Sequence, residues 1–238
     1  MKPITGKGYG SIPHLPGSRR GPMDHGIHPG QARIATERTR DQHDRVIVQE
    51  KLDGSNASAL LLDTGELVAL TRKGHRADTS PFEQHYLFAQ WVAAHEDRFR
   101  AVLRPGERLV GEWLAQAHGT RYALKHEPFV AFDLMTGTKR APYVYFEDRV
   151  ACCFEIPHLL HMGDALSIEA AEELLGEHGH HSALDMAEGA VWRVERRNPK
   201  AQAWAVDFVC KYVRPGKVDG CYLPEISGAE PVWNWRPS

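Results

Sequence analysis

The chain has 238 residues, of which 42% are hydrophobic and 25% charged, a balance that is typical of a globular protein and excludes a disordered tail. Its formal net charge of -2 excludes a basic field over the whole surface, so nucleic-acid binding would need a local patch. No apolar run approaches the ~20 residues of a membrane helix, and the N-terminus lacks an apolar signal segment, so we expect a cytoplasmic protein without a membrane partner. The four cysteines form no C-x-x-C pattern and the chain has no P-loop motif, which excludes a zinc ribbon and P-loop nucleotide chemistry.

The first 45 residues are rich in Gly, Pro, Arg and His, and residues 8–20 show neither helical nor strand periodicity. We therefore predict a long arm over residues 1–45. Loops of this length are often functional, and the side chains of Tyr9, Arg19 and Arg20 could hold a base and a phosphate chain. A merely packed arm is the alternative, and the sequence favours neither.

A lysine ends the first predicted strand. The apolar run Val46–Val48 predicts the strand, and Lys51, Asp53 and Gly54 follow it as K-x-D-G. A lysine at this junction can reach into a cleft while its stem stays packed, and partial desolvation makes its ammonium lose the proton more easily, as a nucleophilic amine requires. K-x-D-G occurs by chance in roughly one chain in twenty of this size, so the motif alone leaves an ordinary surface lysine open.

Further strands are predicted from apolar alternation between turn residues. They are expected over 57–62 and 66–72, which form a hairpin, and over 108–113, 129–135, 189–195 and 203–214. A short helix is predicted to begin after Ser167 and to run to about Glu177. Residues 216–238 are expected to form an irregular tail, so the main domain is predicted over 46–215.

One longer helix has a start signal. Ser80 is the predicted N-cap, Pro81 the first helical residue, and Glu83 the third residue of a capping box. Phe82 and Tyr86 then lie on one side of the helix, and this aromatic face is expected to pack into the core.

Charged residues recur on or beside the predicted strands that follow Lys51. They are Arg72, Glu112, Asp133, Glu188 and Lys211. A charge in such a place is costly unless it faces a cleft and is neutralised there by a ligand or metal. Each one alone is explained as a surface residue, but five in a fixed order after K-x-D-G indicate a site.

In this order of motifs the chain resembles the covalent nucleotidyltransferase superfamily of polynucleotide ligases and RNA-capping enzymes, and most of all the nick-sealing RNA ligases of RNA repair. The resemblance covers about Val46 to Arg214. It implies an α+β fold in which antiparallel sheets are flanked by helices. It also implies that Lys51 attacks the α-phosphorus of ATP to give a lysyl-AMP, and that AMP then passes to an RNA 5′-phosphate and is displaced by a 3′-hydroxyl.

The resemblance also implies roles for residues that contact the nucleotide. Glu50 would meet the adenine edge and Phe132 would stack on the ring, although Phe132 is also explained as a core aromatic. Arg72 would hold the phosphate that later becomes the acceptor end. Lys211 would neutralise the α-phosphate during attack, so that Lys51, Lys211 and Glu188 form the predicted catalytic set.

Metal and nucleic-acid contacts follow from the same resemblance. Asp53, Glu112 and Glu188 would share the ribose contact and the water shell of Mg²⁺, with Mn²⁺ as a substitute. Ser55 and Asn56 match the G-[ST]-N that RNA ligases show after the nucleophile, where DNA ligases usually place an arginine, and this favours RNA.

The chain departs from the family in two places. The last family motif often has two lysines separated by one residue, but the first of them is Val209 here, so Lys211 would need help from Arg214 or Lys217. The residues after Arg214 are expected to leave no room for a separate C-terminal domain. The arm and the tail would take over its task, or a partner protein would, or the enzyme would act on a narrow substrate that presents its own ends, such as a cleaved RNA loop.

Two groups of alternatives stay open from the sequence. A DNA ligase or a GTP-using guanylyltransferase would use the same chemistry on another substrate. A non-catalytic nucleic-acid-binding module would keep the fold without the reaction, although the presence of Lys51, Glu112, Glu188 and Lys211 argues against such a loss.

Overall fold

A computed structural model describes residues 3–4 and 8–237, so the parts of the predicted arm and tail at positions 1–2, 5–7 and 238 lie outside the described residues. The strands are β1 (Asp44–Lys51), β2 (Ser55–Leu61), β3 (Leu67–Thr71), β4 (Glu107–Trp113), β5 (Phe129–Thr136), β6 (Lys139–Arg140), β7 (Leu159–Gly163), β8 (Gly189–Asn198) and β9 (Ala203–Val213). The α-helices are α1 (Pro29–Thr36), α2 (Glu83–Ala94), α3 (Glu96–Val102), α4 (Tyr143–Val150), α5 (Ile168–Leu175) and α6 (Pro224–Ser227).

The strands form two antiparallel sheets. Sheet A has the order β7-β1-β8-β9, and sheet B has the order β3-β2-β4-β5-β6. The predicted α+β class with antiparallel sheets is therefore confirmed. The hairpin predicted around Asp63-Thr64-Gly65 is the β2–β3 pair, in which Gly65 has a φ of 85°.

Alternation along β1 assigns its residues to two cores. Ile47 packs into the core formed with sheet B and α2, α3 and α4. Val46 and Val48 pack on the opposite face of sheet A with residues of α1, α5, β8 and β9. Because successive side chains point to opposite faces of a strand, Lys51 continues the row of Ile47 and Glu50 continues that of Val48.

Helix α2 begins later than the sequence predicts. Its N-cap is Phe82, which makes no side-chain cap bond, so the predicted capping box is wrong. The Ser80 hydroxyl instead lies 2.7 Å from Nδ1 of His85. The predicted aromatic core face is also wrong, since Phe82 and Tyr86 are each 49% exposed and the buried residues are Gln84, Phe88, Trp91 and Val92. The helix is rotated so that Phe88 and Trp91 pack into the core with residues of sheet B.

Helix α5 begins as predicted. The Ser167 side chain accepts a hydrogen bond from the Ala170 amide, and the helix ends at Gly176, where φ is 66°. Six of these elements were not predicted from the sequence: α1 inside the arm, α3, α4, β6, β7, and α6 inside the tail. They are short, and their apolar residues are too few to show a clear period.

The irregular tail packs against the core. Trp233 forms an isolated bridge with Gln116, and Trp235 lies 5.6 Å from Trp113 between ring centroids. Asn234 donates to the Leu114 carbonyl and accepts from the Tyr122 amide. Among the described helices, none has the length and apolar character that crossing a bilayer requires.

Candidate active site

A cleft of about 800 Å³ opens between the two sheets. Lys51 enters it from the end of β1, where it pairs with Gly189 of β8. This register brings Glu188 alongside, and its Oε2 lies 2.6 Å from Nζ of Lys51. The sequence separates these two residues by 137 positions, so only the sheet brings them together.

The K-x-D-G turn closes against the end of β4. The Gly54 amide donates to Oε1 of Glu112 at 3.1 Å. A Cβ at position 54 would lie 2.6 Å from the Trp113 carbonyl oxygen, which is closer than any side chain tolerates. The motif therefore needs a glycine here, and the turn fixes Glu112 beside Lys51.

The ammonium of Lys51 is held in its charged form. Burial alone lowers its pKa, but the charges of Glu188, Glu112 and Asp53 and the bond to Glu188 outweigh burial and raise the pKa above the usual value. The expectation of a lysine that loses its proton more easily is therefore wrong for the protein without a nucleotide.

The carboxylates around Lys51 are more numerous than the cations beside them. Burial raises the pKa of Glu112 and of Glu188 to about 7, and the charge of Asp53 acts in the same direction. Asp53 itself is buried and its Oδ2 accepts from the Gly119 amide at 3.1 Å and from the Thr120 hydroxyl at 2.9 Å. Carboxylates are therefore concentrated around Lys51, in a cleft wide enough for a nucleotide.

This oxygen-rich set fits a hard divalent cation. In the described part of the chain, no three His, Cys, Asp or Glu side chains converge closely enough to hold an ion directly. Asp53, Glu112 and Glu188 nevertheless line one cleft. Such a set suits Mg²⁺ or Mn²⁺ that keeps part of its water shell.

Lys211 lies on β9 and contacts the N-terminal arm. Leu15 donates its amide to the Lys211 carbonyl at 2.8 Å, and Lys211 donates its amide to Pro13 at 3.0 Å. The arm thereby extends the edge of sheet A and brings Asp24 to 4.0 Å from Nζ of Lys211. Asp24 also lies 3.3 Å from Nε2 of His14. Nothing in the spacing of the arm identifies these two residues beforehand.

Arg214 and Lys217, the two cations expected to help Lys211, are paired with other groups of the protein. Arg214 donates to the Gly176 carbonyl at 2.7 Å and to Glu172 at 3.1 Å, so it holds the end of α5. Lys217 is 5% exposed and lies 3.7 Å from Oδ2 of Asp53. Neither is among the described residues that line the cleft.

Glu50 borders the cleft, but its carboxylate is turned to the other face of sheet A. It is 2% exposed and accepts from the His180 amide at 2.8 Å. Gly179 permits this contact, because a Cβ there would lie 2.1 Å from Oε1 of Glu50. Burial raises the Glu50 pKa, while the His180 amide and the charge of Arg214 lower it.

Phe132 and Arg72 both line the cleft. Phe132 is half-buried and meets the ring of Tyr9 edge to face, at 5.5 Å between centroids. The Tyr9 hydroxyl donates to Asp133 at 2.7 Å, so this part of the arm supports the site from behind. Arg72 is exposed at the rim.

Ser55 and Asn56 also line the cleft, at the start of β2. The side-chain carbonyl oxygen of Asn56 is buried and has no hydrogen-bond partner among the described residues. Arg19 and Arg20 are not among the described residues that line the cleft, and the Arg19 amide bonds the Val213 carbonyl. His85, which the sequence did not single out, lies 3.1 Å from the Ser55 hydroxyl.

Comparison with known families and structures agrees with this geometry. Residues 44–213 match the family model described as RNA ligase. Among curated proteins, none matches.

Several solved structures share the fold. An archaeal ATP-dependent RNA ligase aligns with a TM-score of 0.50 at 19% identity, over 87% of this chain and 48% of that one. A lysine-to-alanine mutant of the Naegleria gruberi RNA ligase, solved with ATP and Mn, aligns with a TM-score of 0.54 at 12% identity, over 72% and 50%. A second lysine-to-alanine mutant of that ligase, also with ATP and Mn, gives 0.53 at 13% identity, over 96% and 64%. The chain thus spans about half to two thirds of the length of these ligases.

Proposed function

Because the chain belongs to the RNA ligase family, we propose that it joins RNA 3′-hydroxyl and 5′-phosphate ends in an ATP-dependent reaction that passes through a covalent Lys51–AMP intermediate. The observation that carries this proposal is the pairing of Lys51 with Glu188 at 2.6 Å inside the cleft. A structural ion pair would not need a cleft of about 800 Å³ in front of it.

The first step needs an amine without its extra proton. Glu188 lies at hydrogen-bond distance from Nζ of Lys51 and is the residue placed to take that proton. Nζ then forms a bond to the α-phosphorus, the bond from that phosphorus to the bridging oxygen breaks, and pyrophosphate leaves. Lys211, whose pKa burial and the charge of Lys51 lower, would face the charge that develops on the α-phosphate.

The remaining nucleotide contacts are proposed from position. Phe132 offers a ring at the cleft wall for the adenine, and Arg72 offers an exposed cation at the rim for phosphate. Glu50 would reach the adenine edge only after it exchanges the His180 amide for the base. A nucleotide complex in which Glu50 keeps its bond to the His180 amide would contradict this role.

Asp53, Glu112 and Glu188 would hold Mg²⁺, or Mn²⁺ in its place, largely through water. When bound, the ion would supply positive charge that offsets the triphosphate. The three carboxylates meanwhile keep the ribose side of the cleft polar, and the Gly54 amide keeps Glu112 in place.

Support for RNA as the second substrate comes from Asn56. Its buried oxygen has no partner among the described residues, and a buried acceptor of this kind is costly unless a ligand satisfies it. If the half-buried Asn56 side chain turns this oxygen toward the cleft, a ribose hydroxyl is a donor that would satisfy it, whereas a deoxyribose lacks that donor at the 2′ position. Contacts with Arg19 and Arg20, the help of a partner protein, and a cytoplasmic location stay predictions.

Transfer of label from ATP to the protein tests the reaction. Incubation of the chain with α-labelled ATP and Mg²⁺ is expected to give labelled protein, with AMP on Lys51 in the peptide mass spectrum. Lys51→Ala is expected to abolish the label, and Lys125→Ala, an exposed lysine away from the cleft, serves as the matched control. Labelled Lys51→Ala protein would show that another residue is the nucleophile.

Substrate choice is tested on the same protein. We expect label from ATP and not from GTP, and sealing of a nicked duplex whose ends are RNA rather than DNA. Label from GTP alone would contradict the role given to Glu50, and equal sealing of DNA would contradict the role given to Asn56.

A further inference from the structure

Three polar side chains, Ser55, His85 and Ser80, form a hydrogen-bonded row along the wall of the cleft. Nδ1 of His85 lies 2.7 Å from the Ser80 hydroxyl, and Nε2 of His85 lies 3.1 Å from the Ser55 hydroxyl. All three residues line the cleft. These hydrogen bonds link the first turn of α2 to Ser55, the residue that follows K-x-D-G.

The backbone favours one direction of donation along this row. The Phe82 amide donates to the Ser80 oxygen at 3.3 Å. The Ser80 proton is then free to point at Nδ1 of His85, which leaves Nε2 as the N–H that donates to Ser55. In this arrangement the Ser55 oxygen accepts, and its own proton is free to point into the cleft.

The environment keeps the imidazole in the neutral form that this arrangement needs. His85 is half-buried, and burial together with the charge of His118 lowers its pKa. His118 is itself fixed by a contact of 3.1 Å to Oε1 of Gln84. The neutral His85 ring is therefore held in a fixed position in the wall of the cleft.

The position of the Ser55–His85–Ser80 row in the cleft indicates which substrate it contacts. Lys51, Glu188 and Lys211 belong to the sheet A side of the cleft. Ser55 belongs to sheet B, whose next strand leads to the exposed cations Arg72 and Lys73 at the rim. A hydroxyl donor on this side faces the part of the cleft that is open to a long anionic ligand.

We propose that His85 is a positioning residue for RNA sealing, which holds the Ser55 hydroxyl as a donor to a phosphate oxygen of the RNA end. The inference rests on the proposed RNA ligase function and adds to it a residue outside the nucleotide-binding motifs. Loss of His85 frees the Ser55 hydroxyl to rotate, so the effect falls on the RNA-dependent step more than on the formation of lysyl-AMP.

The test separates the two steps in the same preparations. Label transfer from ATP measures lysyl-AMP formation, and sealing of a nicked duplex with an AMP-capped 5′ end, without ATP, measures the RNA step alone. His85→Ala is expected to lower sealing about tenfold more than label transfer, as the loss of one hydrogen bond predicts. Gln90→Ala, an exposed change on the same helix, is the matched control.

Two further variants distinguish positioning from damage to the fold. His85→Gln, whose side-chain amide can donate near the place of Nε2, is expected to recover most of the sealing rate. Ser55→Ala combined with His85→Ala is expected to be no worse than either single change, because both break the same row of hydrogen bonds.

Each outcome decides the inference. Equal loss of label transfer and sealing in His85→Ala, no rescue by Gln, or additive losses in the double variant would overturn it. A wild-type protein that takes no label from ATP would instead overturn the proposed function, and sealing of the AMP-capped nick would still report on His85.

Discussion

Two buried charge clusters of this protein are built on opposite principles. Around Asp133, one carboxylate meets two guanidinium groups and the Tyr9 hydroxyl, with contacts to Arg193 and a 2.9 Å bond to Arg140. Around Lys51, one ammonium meets Glu188, Glu112 and Asp53. The Asp133 carboxylate is paired with more cations than it needs. In the second cluster the three carboxylates outnumber the ammonium groups of Lys51 and Lys217 that pair with them.

The pKa values follow this difference. Burial raises the pKa of Asp133, but Arg193 and Arg140 outweigh burial and lower it below the usual value. Burial raises the pKa of Glu112 and Glu188 to about 7, and Lys51 offsets only part of the effect. A buried charge in a strand is thus a sign of function only when the fold does not neutralise it.

Removal of the Asp133 charge is expected to have the largest effect on stability. Asp133→Asn leaves Arg193, which is 5% exposed, without its counterion. We expect a loss of about 3–5 kcal/mol in the free energy of unfolding, measured by urea denaturation at pH 7. Asp63→Asn, at an exposed hairpin position, is the control and should change stability little. A loss below about 1 kcal/mol would show that the Asp133 cluster is not the stabilising one.

Low pH tests a third cluster, formed by His181 and the histidines around it. A proton on the buried His181 ring would have no anionic partner there. His181 is 3% exposed, and burial together with His126, His158 and His180 lowers its pKa to about 3. The unfolded state binds this proton near the ordinary pKa of about 6.5, so stability is full above that pH and falls as the pH drops toward 3.

The expected slope in this window is about 1.4 kcal/mol per pH unit, opposed by the carboxylates of the cleft. Urea denaturation at pH 6.5, 5.5 and 4.5, in wild type and in His181→Gln, measures it. The variant should lose stability at pH 6.5 and show a flatter dependence below it. Parallel curves would show that His181 takes no part.

The sequence identified the sheet-borne part of the site because β-strands leave a local record. Lys51, Glu112 and Lys211 lie within strands and Glu188 directly precedes one, and all four line one cleft. His85 lies 30 residues from Ser55, and no local pattern marks that contact.

Helix α2 was predicted at nearly the right place and with the wrong face. The sequence around Ser80 predicts a helix cap, but the Ser80 hydroxyl is hydrogen-bonded to the His85 side chain at the cleft. The rotation of α2 depends on the packing of Trp91 against residues that are distant in the sequence, so no local sequence pattern predicts it.

Neutralising one carboxylate of the Lys51 cluster should raise the free energy of unfolding, whereas neutralising Asp133 should lower it. The folded-state pKa of Glu112 is raised from 4.5 to about 7, so its contribution is favourable below pH 4.5 and is lost as the pH rises through 7. Glu112→Gln keeps an acceptor for the Gly54 amide and removes the charge. We expect the variant to be more stable than wild type at pH 8, on the order of 1–3 kcal/mol, and to lose label transfer from ATP.

The control for Glu112 is the same comparison at low pH. At pH 5 the wild-type carboxyl is itself largely protonated, so the difference between the variant and wild type should shrink. A variant that is less stable than wild type at pH 8 would mean that Glu112 is satisfied in the fold, as Asp133 is.

The smallest expected effect concerns the exposed aromatic face of α2. Tyr86 is 49% exposed, so Tyr86→Ala should change the free energy of unfolding by less than about 0.5 kcal/mol. Phe88→Ala, two residues on, removes a ring that is fully buried against Trp113 and should cost about 3–5 kcal/mol. Urea denaturation of the two variants side by side measures the rotation of the helix. Equal losses in the free energy of unfolding would mean that the Phe82 and Tyr86 side of the helix packs into the core, as the sequence predicts. His85 would then have a different orientation toward Ser55.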